Sequence, residues 1–283
     1  MTTLPAVTRT IHVGHSPDSD DAFMFYALAE GLIDTGDLAY SHELQDIETL
    51  NRRALRGELE VTAVSIHAYA YLSDRYALLP SGSSMGDRYG PRLVATRPGT
   101  LADAAGRRIA VPGLLTTAYL ALKLAVPEFE AVVVPFDQIE ESVASGQVDF
   151  GLLIHEGQLT YGETGLSLIA DLGEWWFQKK GLPLPLGGNV VRKDLGPDLM
   201  ARISRHLRAS IDYALDHRER ALDHAMQYAR GLARQDADTF VGMYVNDWTR
   251  DYGERGRLAV RELLAEGVKA GIITQPVTVE FVD

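Results

Sequence analysis

The chain has 283 residues, of which 46% are hydrophobic and 23% charged, a composition typical of globular proteins and not of disordered or fibrous chains. Its 39 acidic and 27 basic residues give a net charge of −12, which repels a nucleic-acid backbone, and no basic cluster offsets it. Cysteine is absent, which excludes disulfides, thiolate metal sites and a cysteine nucleophile. We expect one large domain or two modest ones, with no nucleic-acid partner.

The N-terminus lacks an apolar segment of signal-peptide length, and no apolar stretch approaches the roughly 20 residues that a membrane span requires. A chain without cysteine also fits a reducing compartment. These features predict a cytoplasmic protein with no membrane partner. The sequence leaves its oligomeric state open.

Short β-branched runs alternate with segments whose apolar residues recur at helical spacing, a pattern typical of βαβ units and of an α/β fold. Helices are predicted to begin at Asp18 or Ser19, at Asp46 and at Ser65, where a side chain can cap the first turn. Two long, charged helices are predicted for residues 197–231 and 236–271. In chain order, the predicted strands span residues 10–14, 60–64, 107–111, 131–134 and 148–154.

Two turn-rich passages indicate that the chain leaves one lobe and later returns to it. A segment rich in Gly, Ser and Pro at 80–91 precedes the apolar run 93–95. A second such segment at 181–188 precedes the extended run 189–191. Both passages predict crossings between lobes.

These crossings, near residues 92–97 and 187–191, define the predicted domains. The first is a discontinuous α/β lobe of residues 1–95 and 189–283, which includes the C-terminal helices. The second is an inserted α/β lobe of residues 96–188, long enough to fold as a unit. We expect a ligand cleft between the two lobes.

The strand-to-helix junctions are the predicted ligand site, because ligands of open α/β sheets bind at the carboxyl ends of strands, where helix N-termini present free N–H groups. Four junctions carry hydroxyl or imidazole groups, two in each predicted lobe: Ser16, Ser65, Thr116 with Thr117, and His155. Such groups can bind a carboxylate without a strongly basic residue. The alternative is that each Ser or Thr is only a helix cap.

His155 is the strongest candidate for catalysis. It follows the apolar run 150–154, which predicts a position at the carboxyl edge of a buried sheet. A neutral imidazole there titrates near physiological pH, as a general base requires. A structural histidine with satisfied hydrogen bonds is the alternative, and His15, in the first junction, is the second candidate.

Other sequence motifs give little support for a second kind of functional site. The spacing Gly82-Ser83-Ser84-Met85-Gly86 matches a nucleophile elbow, but a turn follows it where a helix is required. The sequence has no His-Glu-x-x-His motif, dinucleotide fingerprint or P-loop. We therefore predict no metal and no cofactor. The pair Trp175 and Trp176 could wall a flat ligand, although buried packing explains it equally well.

Several passages from His12 onward occur together and in order in one known family: Ser16-Pro17 with Asp21-x-Phe23-x-Phe25-Tyr26, Glu48-Thr-Leu-Asn51-Arg52, Thr116-Thr117-Ala118-Tyr119, Ile154-His155-Glu156, and Gly181-Leu-Pro-Leu-Pro-Leu-Gly187. In these passages the sequence resembles the 1,4-dihydroxy-6-naphthoate synthase family of the futalosine route to menaquinone. Jointly the passages are specific, although each one alone would be weak.

The resemblance implies a two-lobed fold like that of type II periplasmic binding proteins and a lyase without a cofactor. It also implies that cyclic dehypoxanthine futalosine, a small carboxylate, is cleaved to 1,4-dihydroxy-6-naphthoate. Carried over by position, His155 is the base. Asn51, Arg52, Ser65, Thr116 and Thr117 line the cleft, and Ser16 and Asp21 complete the predicted substrate-binding set.

The first junction departs from the family pattern Ser-Pro-Cys-Pro-Asn-Asp-Thr. Residues 16–22 read Ser-Pro-Asp-Ser-Asp-Asp-Ala, so the chain loses the asparagine and threonine side chains and gains carboxylates. A different aromatic or sugar carboxylate is therefore an open alternative for the ligand. Two further alternatives are a non-catalytic solute-binding protein and the sibling chorismate dehydratase, whose fold is similar.

Overall fold

The computed structural model describes residues 9–229 and 231–282. Its strands are β1 (Arg9–His15), β2 (Leu38–Leu44), β3 (Val61–Ser65), β4 (Tyr76–Leu78), β5 (Ser84–Gly86), β6 (Arg92–Ala95), β7 (Arg108–Val111), β8 (Glu130–Val133), β9 (Phe150–Leu153), β10 (Ser167–Asp171) and β11 (Leu184–Arg192). Its α-helices are α1 (Ser19–Ala29), α2 (Ile47–Arg56), α3 (Ile66–Tyr69), α4 (Thr117–Ala125), α5 (Ile139–Ala144), α6 (Gly157–Thr160), α7 (Leu172–Lys180), α8 (Pro197–Asp216), α9 (Arg218–Ala225), α10 (Arg234–Tyr244), α11 (Asp247–Arg250) and α12 (Gly253–Lys269).

The strands form two mixed sheets. The first has the order β2-β1-β3-β11-β4, with β5 also paired to β11. Its strands β1, β2 and β3 are parallel, whereas β11 runs antiparallel to its neighbours. The second sheet has the order β10-β6-β9-β7-β8. Strand β7 runs parallel to β8 and β9, whereas β6 runs antiparallel to its neighbours β9 and β10. We call the first lobe residues 9–86 and 184–282, and the second lobe residues 92–171.

The chain passes between the two sheets at other residues than the predicted lobe boundaries, 95/96 and 188/189. Strand β6 pairs with β9 and β10, so Arg92–Ala95 belongs to the second sheet. Strand β11 pairs with the first sheet from Leu184 onward. The chain therefore crosses at 87–91 and 172–183. A turn-rich passage marks that a crossing occurs, but it carries no information about which sheet the following strand joins.

The C-terminal helices pack on the first lobe, where α1 contacts α8, α9 and α10. The two long helices predicted there are interrupted. His217 leaves the helical region, with φ −118° and ψ 43°, and ends α8. Asn246 begins a new helix, α11, by accepting a hydrogen bond from the Trp248 backbone N–H at 3.0 Å. Apolar periodicity continues across both breaks, so it does not show them. None of the described helices has the length and apolarity needed to cross a bilayer.

Two pairs of parallel strands, one pair in each sheet, bring their carboxyl ends to the space between the sheets. Strands β1 and β3 do so from the first lobe, and β7 and β9 do so from the second. A main hydrophobic cluster continues through both lobes and includes Leu78, Leu93, Ile109 and Trp176. This arrangement holds the two sets of strand ends against each other.

Candidate active site

The four predicted junctions meet in one cavity of about 120 Å³ between the lobes. Ser16, Ser65, Thr116, Thr117 and His155 all line it, and so does Asp21. Its remaining polar lining consists of Asp18, Asp20, Ser84, Gln158, Asn189 and Tyr244. No lysine or arginine is among the described residues that line the cavity. A ligand there meets hydroxyls, carboxylates and one imidazole.

The imidazole of His155 is bound to a carboxylate from the opposite lobe. Its Nδ1 lies 2.7 Å from Asp18 Oδ2, and the Ser16 hydroxyl donates to the same oxygen, also at 2.7 Å. Since a carboxylate accepts, this contact fixes the proton on Nδ1 when the ring is neutral. Nε2 is buried and has no hydrogen-bond partner among residues 9–229 and 231–282. Its lone pair is therefore available to accept a proton.

The backbone of His155 also has an uncommon conformation. Its φ is +61°, in the left-handed region that non-glycine residues seldom adopt. The Gln158 side-chain amide holds this backbone in place. Its nitrogen donates to Gly90 O at 2.6 Å, and its oxygen accepts from the His155 backbone N–H at 3.2 Å. The Phe136 ring packs against the imidazole, with ring centroids 4.5 Å apart. Strained backbone of this kind concentrates at functional sites.

The charges around His155 favour its protonated form. Burial is the largest single effect and lowers the pKa of His155, but the carboxylates of Asp18, Glu156 and Asp20 together outweigh it and raise the pKa above 6.5. Burial, followed by the charges of Asp21 and Asp18, raises the pKa of Asp20 well above 3.8. Burial raises the pKa of Asp21 to about 6, against the opposing hydrogen bond from the Ser16 backbone N–H at 2.7 Å.

The hydroxyl residues of the cavity keep partners within the protein. Thr116 caps α4 by accepting from the Tyr119 backbone N–H at 3.2 Å, as the capping alternative requires. Thr117 donates to Leu186 O at 2.6 Å, across the cleft. These bonds orient the first turn of α4 toward the cavity, where its N–H dipoles favour an anion.

Asn51 supports a cavity residue without lining the cavity itself. It is fully buried, and its amide donates to the Ser65 hydroxyl at 3.1 Å and accepts from the Ser65 backbone N–H at 2.8 Å. Arg52 also lies outside the lining residues. Its side chain is 61% exposed and pairs with Glu48 at 3.2 Å.

His15, the second candidate base, does not line the cavity. Its ring stacks on Phe25 with centroids 4.4 Å apart, and its Nε2 lies 3.1 Å from His42 Nδ1. Burial, followed by the charge of His42, lowers the pKa of His15 to about 3. His15 is a neutral packing residue of the first lobe.

Asp18 is absent from the predicted site residues, because an Asp at the start of a helix predicts a cap for α1. Asp18 does stand at the N-cap position, but its side chain makes no capping hydrogen bond and turns to His155. The signal available was the carboxylate at a position where the resembled family has cysteine. Gln158 and Tyr244 are hydrogen-bonded to each other at 2.8 Å. Tyr244 lies in Tyr244-Val-Asn246, another passage that matches the resembled family, whereas Gln158 carried no sequence signal.

Together, the fold and the site define a two-lobed α/β protein of the periplasmic-binding-protein type with an acid–base pair in its cleft. Comparison with solved structures supports the fold at low identity. An alkanesulfonate-binding protein from Xanthomonas axonopodis is 12% identical, with a TM-score of 0.72 over 97% of each chain. A Candida albicans protein described as having the generic periplasmic binding protein fold is 14% identical, with a TM-score of 0.69 over 97% of this chain and 98% of its own. The predicted fold class is confirmed.

The chain belongs to the menaquinone biosynthesis family, whose model matches residues 11–269. It is 43% identical to a 1,4-dihydroxy-6-naphthoate synthase of Thermus thermophilus over 93% of this chain and 96% of that protein. It is 40% identical to the Streptomyces coelicolor enzyme of the same name, over 93% and 95%. A solved structure from Archaeoglobus fulgidus is 48% identical, with a TM-score of 0.90 over 94% and 99%. The family predicted from the sequence is confirmed.

Proposed function

We propose that this protein is a 1,4-dihydroxy-6-naphthoate synthase of menaquinone biosynthesis, a lyase that cleaves cyclic dehypoxanthine futalosine with His155 as general base. The observation that carries the assignment of the base is the 2.7 Å contact between His155 and Asp18, which leaves the Nε2 lone pair in a buried cleft. The names of the two relatives at 43% and 40% identity support the reaction.

In the proposed reaction, His155 removes a proton that a neighbouring carbonyl makes acidic. The electrons released break a carbon–oxygen bond and open the ring derived from the sugar, and the oxygen that leaves takes up the proton from His155. Cleavage of the carbon–carbon bond to the remaining sugar fragment then releases this fragment and lets the bicycle become aromatic. One positioned imidazole is sufficient for the proton transfer and contributes about 10²- to 10⁴-fold to the rate. Enclosure in the cleft excludes water from the reactive intermediate.

The electrostatics of the cavity support one orientation of the substrate. Its carboxylate would lie at Ser65, Thr116 and Thr117, near the N-terminus of α4, where hydroxyls and N–H dipoles favour an anion. Asp20 and Asp21 line the same cavity, and their carboxyl groups can form hydrogen bonds with sugar hydroxyls. The reacting carbons would then lie between the two ends, beside His155.

The cavity must widen to take up a substrate of this size. Pockets that hold ligands of this size measure about 300–1,000 Å³, whereas the cavity between the lobes measures about 120 Å³. The lobes must therefore separate to admit the substrate. The structure represents a closed arrangement.

The experiment that tests the assignment incubates the purified protein with cyclic dehypoxanthine futalosine and follows 1,4-dihydroxy-6-naphthoate by mass spectrometry. We expect product with the wild-type chain and about 10²- to 10⁴-fold less with His155→Gln. Binding without conversion would favour a solute-binding protein. Dehydration of chorismate in a parallel incubation would favour the sibling enzyme.

We further propose that the protein works in the cytoplasm and without a cofactor. The support is the family's biosynthetic role and the self-sufficiency of an imidazole–carboxylate pair for proton abstraction. EDTA should therefore leave turnover unchanged. Loss of turnover in EDTA that a divalent ion restores would contradict this, and enrichment of the protein outside the cytoplasmic fraction of lysed cells would contradict the location.

A further inference from the structure

We propose that Asp18 is a positioning residue that prepares His155 as a base only when the two lobes close on each other. The proposal rests on the proposed function, since it assigns the residue through which His155 acts. It predicts that the base is incomplete whenever the cleft is open. It also gives a role to the carboxylate that distinguishes this chain from the resembled family pattern.

The two partners come from different lobes. Asp18 lies in the junction between β1 and α1 in the first lobe, and His155 follows β9 in the second lobe. Their 2.7 Å contact therefore crosses the cleft, and it breaks when the lobes separate. The Asp18 side chain is 2% exposed, so the cleft encloses the contact in this arrangement.

Each partner is held in place by its own lobe. The Ser16 hydroxyl donates to Asp18 Oδ2 at 2.7 Å and fixes the carboxylate from the first lobe. On the other side, the φ of +61° at His155 and the packing of Phe136 hold the imidazole from the second lobe. Closure brings two prepared halves together, so little ordering remains when the contact forms.

The contact gives His155 two properties that a base needs. It holds the proton on Nδ1, so that the Nε2 lone pair faces the substrate, and it stabilises the imidazolium that proton abstraction produces. The charged groups that face the ring are Asp18 and Asp20 from the first lobe and Glu156 from its own turn, with Asp21 behind Ser16. In an open cleft the imidazole would be exposed to water. Its proton would then not be fixed on Nδ1, and the Asp18 carboxylate would not stabilise its charge.

Other hydrogen bonds hold the lobes together without Asp18. The Leu115 backbone N–H donates to Glu48 Oε2 at 3.3 Å, and the Thr117 hydroxyl donates to Leu186 O at 2.6 Å. Both bonds cross the cleft, and neither involves Asp18 or His155. Removing the Asp18 charge should therefore impair the chemical step far more than closure or substrate binding.

The test compares wild type, Asp18→Asn, His155→Gln and the double variant. We expect Asp18→Asn to lower kcat by about 10²- to 10⁴-fold with little change in KM. We expect the acidic limb of the pH profile of kcat, which reports the closed enzyme–substrate complex, to move to lower pH, because the Asp18 carboxylate raises the pKa of His155 and burial lowers it. The double variant should be no slower than His155→Gln alone, because each substitution disables the same His155–Asp18 pair.

The matched control is Glu30→Gln, which removes a carboxylate 3.4 Å from His224 Nδ1 at the far end of α1. It should leave kcat and the pH profile unchanged. A pH limb that does not move in Asp18→Asn, or a loss that adds to that of His155→Gln, would overturn the positioning role. Normal turnover by His155→Gln would overturn His155 as the base and with it the role of Asp18, whereas absence of turnover by the wild type would overturn the proposed function.

A second measurement does not depend on the folding of a variant. Nitrogen-15 NMR of histidine side chains in the wild-type protein reports which ring nitrogen carries the proton. With 1,4-dihydroxy-6-naphthoate bound, we expect the Nδ1–H tautomer at His155 as pH rises above its pKa. The Nε2–H tautomer in that complex would overturn the proposal.

Discussion

Replacing Gly113 with alanine tests whether turnover requires the closed cleft. A Cβ atom at position 113, in the second lobe, would lie 2.3 Å from Glu48 Oε2 and 2.5 Å from Glu48 Cδ, in the first lobe. Ordinary contact begins at 3.4 Å, so the Glu48 carboxylate and Cβ must move apart by about 1 Å. Glu48 is held by Arg52 at 3.2 Å, so we expect part of this movement to be a separation of the lobes. Glu48 also accepts the hydrogen bond from Leu115 that crosses the cleft. Because a mutation far from the reacting atoms that misplaces them by 1 Å can cost about 10²-fold in rate, we expect kcat to fall by about 10²-fold.

The assay is the initial rate of naphthoate formation, analysed as kcat and KM for each variant. Gly162→Ala is the matched control, because a Cβ atom at that position meets no atom within 4 Å. Adding Glu48→Ala to Gly113→Ala removes the obstructing carboxylate and should recover part of the lost rate. If Gly113→Ala kept kcat within about threefold of wild type, the Glu48 side chain rather than the lobes would have yielded to the Cβ atom, and the expected link between this clash and cleft closure would be refuted.

Three further predictions follow from the charges and hydroxyls of the cavity. The logarithm of kcat should rise with pH through an apparent pKa above 6.5, because His155 must lose its proton to act and its pKa is raised in the closed cleft; a midpoint below 6.5 would contradict this. Ser65→Ala should raise KM by about five- to tenfold through loss of one hydrogen bond, and an unchanged KM would remove Ser65 from the substrate contacts. Folding raises the pKa of Asp21 from 3.8 to about 6, so the folded state binds more protons and stability falls as pH rises across that interval. Asp21→Asn should therefore raise Tm at pH 7, with the gain vanishing below pH 4 in calorimetry, and a lower Tm at pH 7 would count against the burial argument.

The sequence alone predicted the members of the site that lie at strand ends. Ser16, Ser65, Thr116 and Thr117 follow strands or cap helices, and His155 follows a buried apolar run. Strand and helix periodicity locates such junctions, and parallel strands place them at a common edge. The cavity residues confirm that these junctions meet.

The sequence could not predict contacts that depend on how the lobes meet. An Asp at the start of a helix indicates a cap, and only the approach of the second lobe gives Asp18 a different partner. The same holds for Asn51, whose motif implied substrate contact but whose amide supports Ser65. Local pattern also could not assign β6 to its sheet, since β pairing across the chain is a tertiary property.

The most direct measurement of the central claim is a paired experiment on wild type and His155→Gln at a pH above the pKa of His155. Calorimetry gives the Kd of cyclic dehypoxanthine futalosine for His155→Gln, and a rapid-quench single turnover gives the rate of its conversion by each chain. We predict that both chains bind it with similar affinity and that only the wild type releases 1,4-dihydroxy-6-naphthoate at a substantial rate. Equal conversion by both chains, or binding without conversion by the wild type, would contradict the account.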